Sequence, residues 1–560
     1  MRFLNRLKQG TELSGPHAAL DAPLLCLSPD HADQWTLRDA CEHTLVVGGT
    51  GSGKTSASGS ALASAFLRAG FGGLVLCAKP EEAERWVKYA HACGRSRSVI
   101  RLDISGRHRF NFLDYLMALP PSEGGGLVDN AVNTLLRVLE AAQAGGASPA
   151  GQGESPDFWH KAIRELLSHA IGSLFHAYGR ITLDELLKLI NSAPISEEQA
   201  RDADFQTWSF CYSTMRRLFE GPKIPLPQRE AALLVNYFGQ TFGRLDPKTR
   251  SNIVITLSAE ISPFLKGPLH TLFCTDTNII PELTHEGVVL VLDLPIKRFE
   301  QMGVVAQMLI KYLWQKATER RAVHAGTRPV FLFADEAQLF VSPYDLEFQS
   351  TARSALAASV YITQNLPSLY ARIGGRNPQD QADAIIGNFQ TKIFHANSDH
   401  RTNQWAADTI GRAMQRRFNR NWSESESAQT SSNQNRNWGV QDGESRGRNW
   451  GSSGGGSYSD SGHYSGSFSV SSGRQTGTSK SRSRGGGWSH GESSGRSDSE
   501  GGGWSEQMDY VIQPADFANR LRQGGPRNDF IVTGILLQAN RVFSRTGTCW
   551  TPVAFQQQRG

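Results

Sequence analysis

The sequence predicts an α/β fold: a parallel sheet domain interrupted by an inserted all-helical domain and, later, by a long disordered Ser/Gly-rich insertion. Three observations predict it. Short apolar runs alternate with helical patterns at the pitch of βαβ units, on either side of a gap in the strand signal. Within that gap, from about residue 116 to 286, apolar residues recur at helical spacing instead. From 419 to 505 the composition collapses to Ser, Gly, Arg and Asn with spaced tryptophans (Trp422, Trp438, Trp450, Trp488, Trp504). Aliphatic residues nearly vanish there, so the stretch buries too little to fold alone.

The elements follow in order. Residues 1–40 form an N-terminal segment with a basic amphipathic start, Arg2, Arg6 and Lys8 around Phe3, Leu4 and Leu7. An ordinary first helix is the preferred reading over a membrane-surface or partner helix. Pro23 to Ser28 reads as an edge strand. Residues 41–115 hold the first part of the sheet domain. Thr44–Val47 is a buried strand and Ser56 to Arg68 an Ala/Ser/Leu-rich helix. Gly73–Cys77 is a second strand, followed by a helix through Tyr89, and Val99–Asp103 is a third strand. Residues 116–286 form the helical domain, with patterns in 158–175, in 183–190 and through Leu233–Val235. Residues 287–418 resume the sheet with Gly287–Leu294, a helix over Val304–Arg320, and strands Pro329–Ala334, Ser359–Thr363 and Thr391–Ala396. Residues 506–560 return to order, and Phe530–Gln538 with Val542–Phe543 are expected to close the sheet edge.

The chemistry is concentrated where strands end. Gly48-Gly49-Thr50-Gly51-Ser52-Gly53-Lys54-Thr55 satisfies G-x-x-x-x-G-K-[ST] in full, between a strand and a helix. A triphosphate must be wrapped by backbone N–H groups, and glycines let the chain come that close. The following helix points its positive end at the phosphates. Lys54 would reach the β and γ phosphates of ATP, and the Thr55 hydroxyl would ligate Mg²⁺. The apolar run into Asp335-Glu336 is a second signature: Asp335 would hold Mg²⁺ and Glu336 would polarise the attacking water. Gln364 ends another strand and either senses the γ phosphate or is a solvated strand tip; spacing alone leaves the two even.

Composition bounds the rest. The 560 residues suffice for several domains, and Lys+Arg 58 against Asp+Glu 53 is compatible with a nucleic-acid partner without arguing for one. Seven scattered cysteines without a C-x-x-C fit a reduced cytosolic compartment. No signal peptide and no apolar run of about 18 residues is present, so direct transmembrane anchoring is not expected. In 412–505 twelve Arg/Lys face eight Asp/Glu, so interleaved Arg and Trp can grip single-stranded nucleic acid. A passive linker or a protein-docking arm is at least as compatible.

These residues resemble the TraG/TraD-type coupling proteins of type IV secretion, within the HerA/FtsK branch of P-loop ATPases. The resemblance is carried by Glu42–Val47 leading into the loop, the Lys79-Pro80-Glu81 turn, and Arg109–Asp114. It continues through Asp335-Glu336-Ala337, Arg353 through Gln364, Asp399 to Gly411, and Pro514–Phe517 through Gly525. It covers about 40–415 and 506–556. It implies a RecA-like P-loop ATPase sheet domain in a homohexameric ring that hydrolyses ATP at subunit interfaces. The ring would drive DNA, single-stranded by preference and often with an attached relaxase, toward the channel components. It also places Arg353 as a candidate trans arginine finger and raises Gln364 as a sensor. Two departures are plain. The family's N-terminal transmembrane helices are absent, and its Asp-Pro-Lys turn reads Ala78-Lys79-Pro80. A cytoplasmic protein, or one peripheral at the inner membrane through partners, is therefore expected. Two rivals remain: a double-stranded DNA translocase of the same branch in repair or defence, and a nucleotide-gated docking platform without motor activity.

Overall fold

In the computed structural model the described residues are 20–143, 156–373, 377–434, 441–458, 464–481 and 488–558. Side chains are described throughout these except at 138–143, 156–160 and 418–504. The amphipathic start at residues 2–8 lies outside them.

The chain enters through β1 (Pro23–Cys26) and β2 (Gln34–Thr36), an antiparallel pair separate from the main sheet. This corrects the expectation of an edge strand at Pro23–Ser28. The pair is held instead by Trp35, which is buried and donates Nε1 to Thr391 Oγ1 at 3.2 Å. Thr36 then starts α1 (Leu37–Cys41) with a reciprocal capping box to Asp39.

From here the sheet domain is built on β3 (Thr44–Val47), α2 (Ser60–Arg68), β4 (Gly72–Leu76), α3 (Glu81–Ala92) and β5 (Val99–Leu102). Ten α-helices follow among the described residues, with no strand between them. They are α4 (Phe112–Ala118), α5 (Val128–Gln143), α6 (Pro156–Tyr178), α7 (Leu183–Asn191), α8 (Glu197–Arg201), α9 (Ala203–Trp208), α10 (Phe210–Glu220), α11 (Gln228–Asn236), α12 (Pro247–Ile261) and α13 (Gly267–Phe273). The sheet resumes with β6 (Val289–Leu292), α14 (Ile296–Arg320), β7 (Val330–Asp335), α15 (Tyr344–Thr351) and β8 (Ala357–Thr363). It continues through α16 (Leu366–Ile373), α17 (Pro378–Gly387), β9 (Thr391–Phe394) and α18 (His400–Ile410).

The contacts divide the chain into two units. One comprises residues through Asn403 together with Ala515–Gly560, the other Gln404–Pro514. Within the second unit β10 (Arg412–Gln434), β11 (Gln441–Tyr458), β12 (Tyr464–Ser481) and β13 (Trp488–Tyr510) pair antiparallel in the order β10-β13-β12-β11. The sequence reading here is a long disordered Ser/Gly-rich insertion, and the segment stands in the fold as an insertion of that composition. Where the backbone is described it is extended and paired, in a composition that offers no apolar alternation to announce a strand. The first unit closes with α19 (Pro514–Asn519), β14 (Ile531–Gln538) and β15 (Trp550–Gln556). The last strand is thus not Val542–Phe543. Asn540 turns the chain at φ 61, Val542 lies exposed in the connection, and Phe543 tucks into the core.

The main sheet has nine strands in the order β15-β14-β9-β3-β8-β7-β4-β6-β5. The seven from β9 to β5 are mutually parallel, and β14 runs antiparallel to β9. Every residue of β3, β4, β6, β7, β8 and β9 is buried, because both faces are covered. One face is an aromatic stack: Phe66 lies 5.2 Å from Phe331, and Trp86 lies 5.4 Å from the same ring. Gly73 makes this possible, since a Cβ there would sit 2.6 Å from the Phe331 ring. Among the described residues no helix is long and apolar enough to cross a membrane.

Two buried histidines set a pH limit. His43 Nδ1 accepts from Ser359 N at 3.1 Å and its Nε2 meets Gln349 O, while His395 lies between Thr533 O and Ser58 Oγ. Burial pushes both down to about 4. Each stays neutral in the fold while the unfolded chain takes up protons below about pH 6.5, so stability is full above that value and lost as pH falls toward 4. The loss is about 1.4 kcal/mol per pH unit per histidine. Thermal unfolding at pH 7 and pH 5 should show a lower midpoint at pH 5, and His43→Gln should reduce that pH dependence.

Candidate functional site

The parallel register aligns three strand ends. Val47 of β3 is level with Thr363 of β8, and Asp335 of β7 is level with Ile362. The carboxyl ends of parallel strands open onto one crevice. Three segments leave the sheet side by side there: the loop after Val47, the Asp335-Glu336 turn, and Gln364.

The loop is pinned by its own backbone. Gly48 N donates to Thr363 O at 3.3 Å and Gly49 N to Ala396 O at 2.9 Å. Gly51 and Gly53 take φ of 77° and 82°, where side chains are disfavoured. The expected helix after the loop opens wider than an α-turn: Gly59 N reaches back to Lys54 O at 2.8 Å, and regular α2 begins only at Ser60. Lys54 is largely buried with Nζ 3.5 Å from Gly49 O. Burial lowers its pKa, while Glu336 and Asp335 pull it back up.

Thr55 Oγ1 donates to Asp335 Oδ2 at 2.8 Å, and Asp335 Oδ1 accepts from Glu336 N at 3.0 Å. Glu336 sits at φ 55, in the left-handed region, with its residue 5% exposed. Its carboxylate accepts from Lys79 Nζ at 2.8 Å, from Gln338 Nε2 at 2.8 Å and from Gln364 Nε2 at 3.1 and 3.2 Å. Burial alone would raise its pKa, but these donors, Lys79 first, bring it below the ordinary glutamate value. Gln364 Oε1 in turn accepts from Thr50 Oγ1 at 3.2 Å, and its backbone carbonyl from Asn397 Nδ2 at 2.9 Å.

These residues fit a nucleoside triphosphate with a hard divalent cation. The loop presents Thr50, Gly51, Gly53, Lys54 and Thr55 to the cleft, a cation and backbone N–H groups together, while the Ser52 hydroxyl is buried behind them against Gly48. The Thr55 and Asp335 oxygens form the sparse, all-oxygen set that Mg²⁺ takes when phosphates supply the rest. The cleft in front of the loop has a volume of about 1150 Å³, with Arg85, Lys297 and Arg372 in its walls.

Gly48 through Thr55, Asp335, Glu336 and Gln364 are therefore brought together. Arg353 is not. It lies in the turn before β8, where Nη1 pairs with Glu42 Oε1 at 3.1 Å, and the seven residues of β8 separate it from the crevice by roughly 20 Å. Sequence reasoning missed the pairing of Lys79 with Glu336 and the lining role of Arg372. It also missed the tail: Gln558 N bonds Ser56 O at 2.9 Å and Gln557 Nε2 bonds Ser56 Oγ at 3.0 Å. A charged residue just past a buried strand was the available signal for Lys79; the tail gave none.

Known proteins bear on this geometry. Residues 329–445 match the family model described as the TraM recognition site of TraD and TraG, which meets the resemblance drawn from the sequence over that segment. Among solved structures, the bacterial conjugative coupling protein TrwBdeltaN70 in its unbound form is similar at a TM-score of 0.51 and 13% identity. The match covers 99% of this chain and 92% of that one. Plasmid coupling protein TrwB in complex with the non-hydrolysable GTP analogue GDPNP matches at 0.50 and 13% identity, with the same coverage. At this identity the likeness speaks for the fold. No curated protein sequence matches.

Gly53 offers a direct test of the loop. A Cβ there would lie 2.4 Å from Val532 Cγ2 on β14, besides the left-handed φ. Gly53→Ala should cost about 2–4 kcal/mol and abolish nucleotide binding. Adding Val532→Ala should recover part of the melting temperature and none of the binding, measured by thermal unfolding and fluorescent-nucleotide titration.

Proposed function

We propose that this chain is a TraG/TraD-type coupling ATPase that spends ATP to move DNA, single-stranded by preference, or a relaxase–DNA complex, toward a type IV secretion channel. The observation that carries the reading is the convergence of the Thr55–Asp335 bond with Glu336 and Gln364 at one crevice in front of a complete phosphate loop. The fold shared with TrwB and the TraM-recognition match support the same class.

In this reading the loop amides and Lys54 bind the β and γ phosphates. Mg²⁺, when bound on Thr55 and Asp335, supplies charge neutralisation for the triphosphate. Glu336 orients the attacking water and accepts its proton. Gln364 joins the phosphate-loop tip at Thr50 to Glu336, and so reports the γ phosphate to the base. Arg353 is at the wrong end of β8 to serve its own crevice. In a homohexameric ring it serves as a trans finger for the neighbouring copy, which requires it to leave Glu42. Relaxosome and channel components are the partners this class implies, with delivery to the inner membrane through them.

Steady-state ATPase rates against added single- and double-stranded DNA test the proposal. DNA should stimulate the rate, with the single strand the better effector, and Glu336→Gln should lower it by about 10²–10⁴-fold. Preference for duplex would favour the double-stranded translocase instead. A flat, negligible rate with intact nucleotide binding would leave only the docking platform.

A further inference from the structure

We infer that Lys79 is a positioning residue that occupies the Glu336 carboxylate in the nucleotide-free site and is drawn off it by an incoming triphosphate. The inference rests on the reading of Glu336 as the residue that orients water.

An ionised carboxylate offers about four acceptor positions. Three donors crowd them here: Lys79 on Oε1, Gln338 on Oε2, and the single Nε2 of Gln364 shared between both oxygens. The ammonium on Oε1 neutralises the carboxylate and weakens it as a base toward a water, so Glu336 in this arrangement is stabilised but idle. One of its donors has to leave. Gln338 lies two residues away on the same turn, and its Oε1 accepts from Thr363 Oγ1 at 2.9 Å, so it moves only with the turn. The amide of Gln364 is held from behind by Thr50. Lys79 differs from both. It reaches in from the end of β4, three strands along the sheet from β3 and the phosphate loop, on a flexible stem that is about a third exposed.

Its backbone, by contrast, is fixed. Ala78 N donates to Glu82 Oε2 at 2.6 Å, Glu82 N to Lys79 O at 3.2 Å, and Pro80 follows directly. On a fixed backbone the long Lys79 side chain swings its ammonium about one point. Lys79 and Lys54 line the same cleft, so phosphates seated on the loop would present several negative charges to the ammonium against the single charge of Glu336. The exchange frees Oε1 for a water only when the loop is filled. A diphosphate, lacking the γ group on the Glu336 side, would leave the pair in place.

A binding cycle tests this without any turnover, and so independently of whether the protein is an ATPase. The affinity of a non-hydrolysable ATP analogue and of ADP, each with Mg²⁺, is measured for the full chain, Lys79→Met, Glu336→Gln and the double variant. Glu336→Gln removes both the pairing and the general repulsion of phosphate by the carboxylate; the repulsion alone survives in the Lys79→Met background. The expected result is that Glu336→Gln tightens the triphosphate analogue about fivefold more with Lys79 present than with Met, and ADP equally in both backgrounds. Lys79→Arg should retain the coupling, and Lys79→Gln, which keeps a polar end without charge, should lose it even if Lys79→Met folds poorly. Equal tightening with Lys or Met at 79, or the same coupling for ADP as for the triphosphate, would overturn the proposal. If the coupling holds while the wild type never turns over ATP, the pairing stands and the motor reading fails.

Discussion

The site depends on one constraint: β3, β8 and β7 are parallel neighbours buried on both faces, in a register that ends them within a residue of each other. Adjacent strands lie about 4.8 Å apart, so three chain segments are delivered to one edge within about 10 Å without any loop having to search for the others. A one-residue slip would turn every buried side chain to the opposite face of a sheet that has no solvent face to receive it. The hydrophobic burial that makes the strands parallel and interior is thus the same force that aligns Thr55, Asp335 and Gln364.

The turn after β7 carries that alignment forward at some cost. Glu336 is a nearly buried charge in a left-handed conformation, a combination that costs on the order of 1–3 kcal/mol in backbone strain alone. The backbone is held by the bond from Glu336 N to Asp335 and, downstream, by a second buried charge. Lys311 Nζ donates to Asp345 Oδ2 at 2.6 Å and to Phe340 O at 2.7 Å, both side chains being essentially inaccessible. Gln315 Nε2 and Tyr361 OH donate to Asp345 Oδ1, and Ser342 N donates to its Oδ2. Burial lowers the pKa of Lys311 while Asp345 pulls it back. The two charges differ in kind. Asp345 is held by donors enclosed in the core, which anchor one end of the turn. Glu336 is held partly by a side chain with access to the cleft, which leaves the other end adjustable.

Local physics made most of this legible in the sequence. Strands covered on both faces must read as continuous apolar runs, and a loop that wraps phosphate must be rich in glycine, so β3, β4, β7 and the loop were readable residue by residue. The acidic pair acquired its meaning from the loop upstream. What could not be read were pairings across long separations. Lys79 and Glu336 stand 257 residues apart and Ser56 and Gln557 501 apart, and neither shows a periodicity. Arg353 was placed from a resemblance, and only the strand direction revealed that its own crevice lies at the far end of β8. The pairing of β10 to β13 had no legible cause, since strand propensity is largely side-chain packing and this segment has few side chains to pack.

The late insertion also shows why the sheet tolerates its own interruption. The chain leaves the first unit after Asn403 and returns at Ala515, yet Phe394 of β9 pairs directly with Ile535 of β14. Closing so long a loop costs entropy only logarithmically, about 0.6 kcal/mol for each doubling of its length. What β14 contributes on return is local and large: Val532 fills the space left by the absent side chain of Gly53, and the tail beyond β15 ties Ser56. The last strands therefore act as the outer wall of the phosphate loop. A segment between α18 and α19 can lengthen at little energetic cost, whereas a change of one methyl group at Gly53 or Val532 acts on the loop itself.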